Sequence, residues 1–331
     1  IACSPFQIGD ISTLPTPIDN RIVGNSTLQL TEMWRTTNPI PLIASIFIAD
    51  NSYLISVEYD KNGLKRWLNV RDAQTGGLIW KTDPLPFPEN SVVIDYKNLY
   101  LALSRKILSY DLLTGELLWE ITGLPERVYY KMYIKNEQLF VYSEEDIDAG
   151  NTKQVIRIYN SQTGELMNYD EKVIAGDAVI LLLTSKSSYW TDRKNVWTVQ
   201  NHATEPNWTF AIENPVQHQP LLVNNNFIFA SGIFSKIIAI NSITGDQIWN
   251  YDKKIVSNLS TDMKVVYAIR QDAVIVGINP STGGEIGFTT IFPNYTEEQG
   301  TRAISFKVTA TDNMIFVYYG DSQEIIAFSK R

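Results

Sequence analysis

The stretch "AINSITGDQIWNYD", residues 239–252, closes one apolar run, turns at Thr244-Gly245 and opens a second run that carries Trp249. Nearly the same phrase stands at 69–83, "NVRDAQTGGLIWKTD", and at 109–123, "SYDLLTGELLWEITG". Thr-Gly pairs recur at Thr75-Gly76, Thr114-Gly115, Thr163-Gly164, Thr244-Gly245 and Thr282-Gly283, spaced 39, 49, 81 and 38 residues apart. The long gap is about two repeats, and a degenerate copy fills it: "VWTVQNHATEPNWTF", 196–210, keeps Asn201, Thr204 and Trp208 but has Glu205 in place of the glycine. A fixed period of this length is the signature of a repeat architecture.

Each copy has one grammar. Three residues before the threonine stands Asp72, Asp111, Asn160, Asn201, Asn241 or Asn279. Five after it stands Trp80, Trp119 or Trp249, with Trp208 four after, while Asn168 and Gly287 break the rule. This is hairpin chemistry. An Asp or Asn side chain accepts backbone N–H groups within a turn. Gly76, Gly115 and Gly245 supply the positive φ that a turn followed by a bulge requires. The tryptophan then packs its apolar surface against a neighbour.

Between the turns, short runs alternate and are rich in β-branched and aromatic residues. "SVVIDYKNLYLALSRKILSYDLLTGELLWEI" reads as four strands, Ser91–Ile94, Leu99–Leu103, Lys106–Tyr110 and Glu116–Ile121. Four short strands per ~40 residues is the unit of a β-propeller blade. Third strands centre near 69, 108, 157, 198, 239, 276 and 326, and fourth strands near 34, 80, 119, 168, 208, 249 and 287. Both counts give seven blades. The chain stops at "EIIAFSKR", a third strand with no fourth after it, while "LQLTEMWRT" near the start, with Trp34, is a fourth strand with no third before it. The expectation is an all-β, seven-bladed β-propeller over 28–331, in which residues 28–36 pair with 324–329 and leave no free sheet edge.

Bulk composition bounds the function. The 331 residues carry a net charge of −8, with 19% charged and 44% hydrophobic side chains. Phosphate binding needs clustered Lys and Arg, so no nucleic-acid partner is expected. Residues 1–27 contain the Pro-rich "SPFQIGDISTLPTPIDN" and read as an extended tether. The sole cysteine, Cys3, excludes an intrachain disulfide. The sequence Ile-Ala-Cys resembles the end of a bacterial lipobox, which implies a lipid anchor at Cys3 and a place on the extracytoplasmic side of the cell envelope.

The recurring Ala-x-Asp/Asn-x-x-Thr-Gly-x-x-x-x-Trp pattern resembles the repeat of the pyrroloquinoline-quinone (PQQ)-like propellers, and better or worse copies of it cover nearly all of 28–331. The resemblance implies the propeller fold and leaves two functional branches. Quinoprotein dehydrogenases bind PQQ and calcium in the central funnel. Non-catalytic propellers include the lipoprotein of the outer-membrane barrel assembly machinery, which has eight blades where the count here is seven. The dehydrogenase branch often uses a disulfide between adjacent cysteines, which one cysteine cannot form, and a histidine base. Here the histidines are His202 and His218, beside no evident Asp or Arg constellation. The expectation is therefore a scaffold without catalytic residues, metal or cofactor, with PQQ-dependent oxidation as the alternative.

Other motifs carry less. "YWTD", 189–192, matches a propeller signature that recurs in most blades of its own family but occurs once here, and reads as a loop. "EEDIDAGN", 144–151, has Asp146, Asp148 and Gly150 in a calcium-loop order, but Arg157 stands where the twelfth-position Glu belongs, so it reads as a solvated acidic loop. Four glycosylation-type triplets begin at Asn25, Asn207, Asn258 and Asn294.

Loop length is the remaining clue, because function concentrates on loops. In a propeller, second-to-third and blade-to-blade connections leave on one face. The long segments 144–151, 184–194, 84–90 and 292–303 all fall there. They bring Glu144, Glu145, Asp146, Asp148, Glu297 and Glu298 together with Phe87, Tyr189, Trp190, Phe292 and Tyr295. Acidic loops with exposed aromatics form the expected docking face for an envelope protein or a membrane-complex subunit.

Overall fold

The structure, a computed structural model, describes residues 28–37, 47–59, 66–85, 89–103, 105–125, 130–148, 151–175, 179–184, 187–192, 194–200, 205–216, 219–232, 235–291, 306–320 and 324–330. These contain strands and turns and no helix. The strands form seven four-stranded sheets, the blades of a β-propeller. Strand β1, Leu30–Thr37, belongs to the last blade. Blade one is β2 Phe47–Ala49, β3 Tyr53–Tyr59, β4 Arg66–Asp72 and β5 Leu78–Lys81. Blade two is β6 Glu89–Ile94, β7 Asn98–Leu103, β8 Lys106–Asp111 and β9 Leu117–Ile121. Blade three is β10 Tyr130–Lys135, β11 Gln138–Asp148, β12 Asn151–Asn160 and β13 Leu166–Ala175. Blade four is β14 Val179–Leu183, β15 Ser187–Thr191, β16 Asn195–Gln200 and β17 Trp208–Ala211. Blade five is β18 Leu221–Val223, β19 Asn226–Ser231, β20 Ser235–Asn241 and β21 Gln247–Ile255. Blade six is β22 Ser260–Thr261, β23 Val266–Ile269, β24 Val274–Ile278 and β25 Glu285–Thr290. Blade seven is β26 Phe306–Ala310, β27 Met314–Tyr319, β28 Glu324–Lys330 and β1. Blades one to three make one compact unit and blades four to seven another.

The closing strand pairs as its sequence requires. β1 runs antiparallel to β28 from Leu30↔Lys330 to Thr37↔Glu324, with one irregularity between Glu32 and Trp34. Arg35 fixes the register by bonding Glu324 across the pair at 3.0 Å and Glu32 at 3.0 Å. On entering blade seven the chain crosses β25, where Thr289 Oγ1 donates to the Leu28 carbonyl at 2.5 Å. Gly277 and Gly287 pair opposite each other there, and Leu28 Cδ1 lies 3.7 Å from where a Cβ on Gly277 would stand. Gly287 replaces the repeat's tryptophan in the strand that this incoming segment crosses.

The Thr-Gly turns share one hydrogen-bond plan. Asp111 Oδ1 accepts the amides of Leu113 at 3.0 Å and Thr114 at 2.7 Å, and the Thr114 hydroxyl at 2.9 Å. Asn160, Asn241 and Asn279 accept the two corresponding amides in their own turns. Thr114 Oγ1 in turn accepts the Glu116 amide, and Gly115 N–H donates to the Asp111 carbonyl. Gly115 takes φ +76°, a left-handed conformation that costs a glycine nothing.

The tryptophans link one blade to the next. Trp80 Nε1–H donates to the Leu112 carbonyl at 2.8 Å, Trp119 to Ser161 at 3.1 Å, Trp208 to Ser242 at 3.0 Å and Trp249 to Pro280 at 2.9 Å. Each acceptor is the residue after the Asp or Asn of the following blade. In three of these acceptor residues the amide is also used. Leu112, Ser161 and Ser242 donate to Lys97, Glu137 and Asn225, which tie the turn to the first hairpin of its own blade. The same four indoles lie against the turn glycines, so a Cβ on Gly115, Gly164, Gly245 or Gly283 would stand 2.6–2.9 Å from the indole. The glycine is therefore required twice, for its φ and for the ring above it. Trp208 and Trp249 are buried at 7% exposure, whereas Trp80 and Trp119 are only partly buried, which departs from the uniform wedge that the repeat predicts.

Aliphatic layers fill the interior of each unit. Blades one and two bury Ile55, Leu68, Val70, Val92 and Leu101 together. Blades six and seven bury Ile269, Ile275, Val308, Val317 and Ile326. A polar zipper reinforces the latter contact: Asn258 Nδ2 donates to the Val308 carbonyl at 2.8 Å, and Val308 N–H donates to Asn258 Oδ1 at 3.0 Å. Asn258 is thus committed on both amide atoms and is buried, so its Asn-Leu-Ser triplet is closed to glycosylation.

Candidate functional site

The expected lipid-anchor residue Cys3 lies outside the described residues, as do Phe87, Phe292, Tyr295, Glu297 and Glu298 of the expected docking face and the two histidines, His202 and His218. The rest separate into two places.

The 144–151 segment is not a solvated loop through Asp148. Glu144 to Asp148 continue β11, and Asn151 opens β12, with the ladder running Glu144↔Gln154, Glu145↔Lys153, Asp146↔Thr152 and Asp148↔Asn151. β13 follows β12 throughout, from Asn151↔Ala175 to Tyr159↔Leu166. Blade three therefore extends as a three-stranded sheet with strands of 11, 10 and 10 residues. Among the described residues, the innermost strand β10 pairs with β11 from Lys135↔Gln138 to Tyr130↔Ser143.

Cross-strand charges hold this extension. Arg157 Nη2 meets Glu145 Oε1 at 2.7 Å, and Arg157 Nη1 donates to Ser143 Oγ at 2.9 Å. Lys153 pairs with Glu171, and both Lys153 and Arg157 lie over the Tyr169 ring, 5.8 and 5.7 Å from its centroid. The Lys153 bond, then that of Tyr169, holds the Glu171 carboxyl below its ordinary range. Tyr142 donates to Glu144 Oε1 at 3.1 Å, and burial, then Glu144, pushes its phenol well above the usual value. Glu145 is thus neutralised within the blade. An extended strand hid in the sequence because charged residues occupied it, and cross-strand ion pairs are what let a strand carry them.

The 184–194 segment is corrected more fully. Tyr189 and Trp190 are not exposed loop aromatics but central residues of β15, at 4% and 7% exposure. Tyr189 stacks on Phe227 of blade five, centroids 4.5 Å apart and planes 8° apart. Burial pushes its phenol above the ordinary value. Trp190 Nε1 donates to Ser188 Oγ at 2.8 Å. Asp192 caps the tight turn that follows, accepting the amides of Lys194 at 3.0 Å and Asn195 at 2.7 Å. "YWTD" is therefore a core strand with its turn, and these two aromatics leave the docking face.

Among the described residues no three His, Cys, Asp or Glu side chains gather to hold a metal. No helix among them is long and apolar enough to cross a membrane. The geometry offers an extended hairpin, β11–β12, on blade three of a repeat scaffold. Asp72, Gly76, Trp80, Asp111, Gly115, Trp119, Asn241, Gly245 and Trp249 lie in the turns and wedges described above.

No curated protein matches the sequence. Among solved structures the fold is similar to BamB from Moraxella catarrhalis, with 14% identity, a TM-score of 0.51, and 86% of this chain and 82% of that one covered. A chain of a Mitotic Checkpoint Complex crystal structure aligns at 14% identity and TM-score 0.62, covering 98% and 97%. Chaetomium thermophilum Raptor aligns at 11% identity and TM-score 0.62, covering 93% of this chain and 28% of that one. At such identities these are likenesses of fold. The sequence itself carries the family, since one family model matches residues 65–207 and 175–331, well over half of the 331 residues. The chain belongs to the family described as outer membrane protein assembly factor BamB.

Proposed function

We propose that the protein is a non-catalytic scaffold of the cell envelope, anchored through a lipid on Cys3, which docks a subunit of a membrane-associated assembly complex through the face bearing the blade-three extension. The observation that carries this reading is family membership over 65–331 together with the blade that, among the described residues, has the longest strands. A propeller interior repeats one structural plan, so a specific contact belongs where a blade departs from it. Glu144, Asp146 and Asp148 on the extension, with Phe87, Phe292, Tyr295, Glu297 and Glu298 from the same-face connections, are the residues assigned to the contact. Charge orients the encounter and the aromatics hold it.

The test is co-purification from detergent-solubilised membranes. Asp146→Lys and Asp148→Lys together should weaken recovery of the membrane complex and leave the melting temperature nearly unchanged, with Glu144 and Glu145 kept because they bond Tyr142 and Arg157. Reversal of the exposed Glu137 and Glu205, which lie in first-to-second and third-to-fourth strand turns on the other face, is the control. Loss in the control but not in the hairpin set would move the contact to another surface. Cys3→Ser should shift the protein from the membrane to the soluble fraction. Added PQQ and calcium should change neither absorbance nor melting; a quinone spectral shift would favour an enzyme.

A further inference from the structure

The inter-blade wedges differ between the two units. The difference goes with one repeat position, the second residue after the turn glycine. That residue is Leu78, Leu117 or Leu166 in blades one to three, but Gln247 and Glu285 in blades five and six. It pairs across the fourth strand with the residue before the turn Asp or Asn: Leu117↔Tyr110, Leu166↔Tyr159, Gln247↔Ile240 and Glu285↔Ile278. Paired residues share a face of the sheet, and Tyr110 faces back onto Trp80, ring centroids 5.8 Å apart. Tyr159 belongs to the cluster that Trp119 packs against.

In blades five and six this position is polar and the wedge is closed. Trp208 and Trp249 are buried, and Glu285 accepts from Tyr251 at 2.7 Å and Lys253 at 2.7 Å. In blades two and three it is apolar and the wedge is half open. Leu117 is 48% exposed and Leu166 56%, and the indoles beneath are only partly covered. The neighbouring Leu78, Ile79, Leu118 and Met167 are also exposed. At each groove two consecutive apolar side chains stand exposed, Leu117 with Leu118 and Leu166 with Met167, and clustered exposed apolar surface marks a binding site. The mouths of the grooves are acidic: Glu116 follows the glycine over Trp80, Glu165 follows the glycine over Trp119, and both are exposed. The nearby Lys106 is taken up by Glu120 at 2.9 Å.

We propose that the two half-open grooves of the first unit, Trp80–Tyr110–Leu117 and Trp119–Tyr159–Leu166, dock a basic amphipathic segment of a partner protein, its apolar side chains entering the grooves and its Lys or Arg meeting Glu116 and Glu165. The charge selects this occupant. An anionic bilayer would meet like charge at both mouths, and a second copy of the chain would bring the same carboxylates. This site is separate from the blade-three extension and does not rest on the scaffold reading.

The experiment uses the full chain and a fluorescein-labelled 13-residue peptide alternating Leu and Lys, followed by anisotropy. The expected result is saturable binding that weakens with salt. Leu117→Ser with Leu166→Ser should weaken it on the order of tenfold or more, because about half of each leucine's hydrophobic burial is at stake. Gln247→Ser should leave it unchanged, and circular dichroism checks that each variant is folded. The proposal is overturned if the Leu-Lys peptide does not bind, if its Leu-Glu twin binds as well, or if the double substitution has no effect. It is also overturned if phosphatidylglycerol vesicles are bound in preference to the peptide, or if sedimentation shows a dimer that the double substitution abolishes.

Discussion

Replacing Gly115 by alanine separates the two demands that the repeat places on its glycine. At φ +76° an alanine is strained by ~1–2 kcal/mol. Its Cβ would also stand 2.6, 2.8 and 2.9 Å from Trp80 Cδ2, Cγ and Cε3. Carbon atoms pack best about 3.5–4.0 Å apart, so the indole must move by about 1 Å. That shift breaks the 2.8 Å bond from Trp80 Nε1 to the Leu112 carbonyl, costing ~1 kcal/mol. It also forces the ring off its rotamer, costing ~1 kcal/mol. The sum is ~3–4 kcal/mol, within the range for deleting a large buried side chain altogether. Gly123 provides the comparison. It has φ +78° with nothing within 4 Å of where a Cβ would stand, so Gly123→Ala should cost the strain alone. Urea unfolding followed by far-UV circular dichroism measures both. Equal losses at the two positions would refute the wedge. In a Trp80→Ala background the Gly115→Ala cost should fall to that of Gly123→Ala, because the ring it displaces is gone.

Trp249→Ala should destabilise by ~3–5 kcal/mol and Trp80→Ala by less, since one indole is buried and the other half-covered; equal urea midpoints would contradict the exposure difference. Asp111 has its carboxyl held below the ordinary range by the Thr114 amide and hydroxyl and the Leu113 amide. Its contribution is present above the unfolded value near pH 4 and lost as pH falls through the lower folded value. Asp111→Asn, which keeps the acceptor used at Asn160, Asn241 and Asn279, should therefore fold normally and flatten stability below about pH 4; an unchanged acid limb in pH-dependent melting would count against it. Deleting residues 1–37 removes β1 and bares the β28 edge, so light scattering should show aggregation and calorimetry a broader transition; a truncated chain melting like the intact one would refute the closure.

The sequence made third and fourth strands legible because the turn between them is written in side chains. Asp111, Thr114, Gly115 and Trp119 each make a bond or contact that few other residues could make, and the pattern survives wherever that chemistry does. All seven third strands and all seven fourth strands stand where their centres were expected. First strands are written in less. β22 has two residues and β18 three, and their place is set by neighbours such as Val308, not by local preference. At the expected docking face the structure departs from the sequence expectation at Tyr189, Trp190 and Glu145, where burial and charge balance decide. Nothing local distinguishes "SSYWTDRKN" from a polar loop; Tyr189 becomes a core residue because Phe227, 38 positions away, lies flat against it. Glu145 reads as free acidity in the sequence because its partner Arg157 lies across the β11–β12 hairpin.

The departures from the repeat carry more functional content than the repeat itself, and each has a physical reason. Gly287 stands in place of tryptophan where the entering chain crosses β25 and Leu28 lies over its cross-strand partner Gly277, so that departure serves closure of blade seven. Asn168 stands in the same place at the start of the strand that extends to Ala175, and it is exposed. Blade three therefore has no indole wedge at that position, and its ladder continues in its place. The leucines after the turn glycines are the third departure. They keep the strand and its bulge intact but withhold the carboxylate that, at Glu285, gathers Tyr251 and Lys253 over a closed wedge. Substituting that chemistry back is the decisive perturbation: Leu117→Glu should leave the blade folded, since the position is half exposed, yet introduce a charge at the mouth of an apolar groove. If the groove only packs blades together, stability falls and the Leu-Lys peptide is unaffected. If it docks a basic amphipathic segment, the segment's apolar side chains lose their seat while the acid strengthens the long-range attraction, so the salt dependence of binding should steepen as its affinity at high salt collapses.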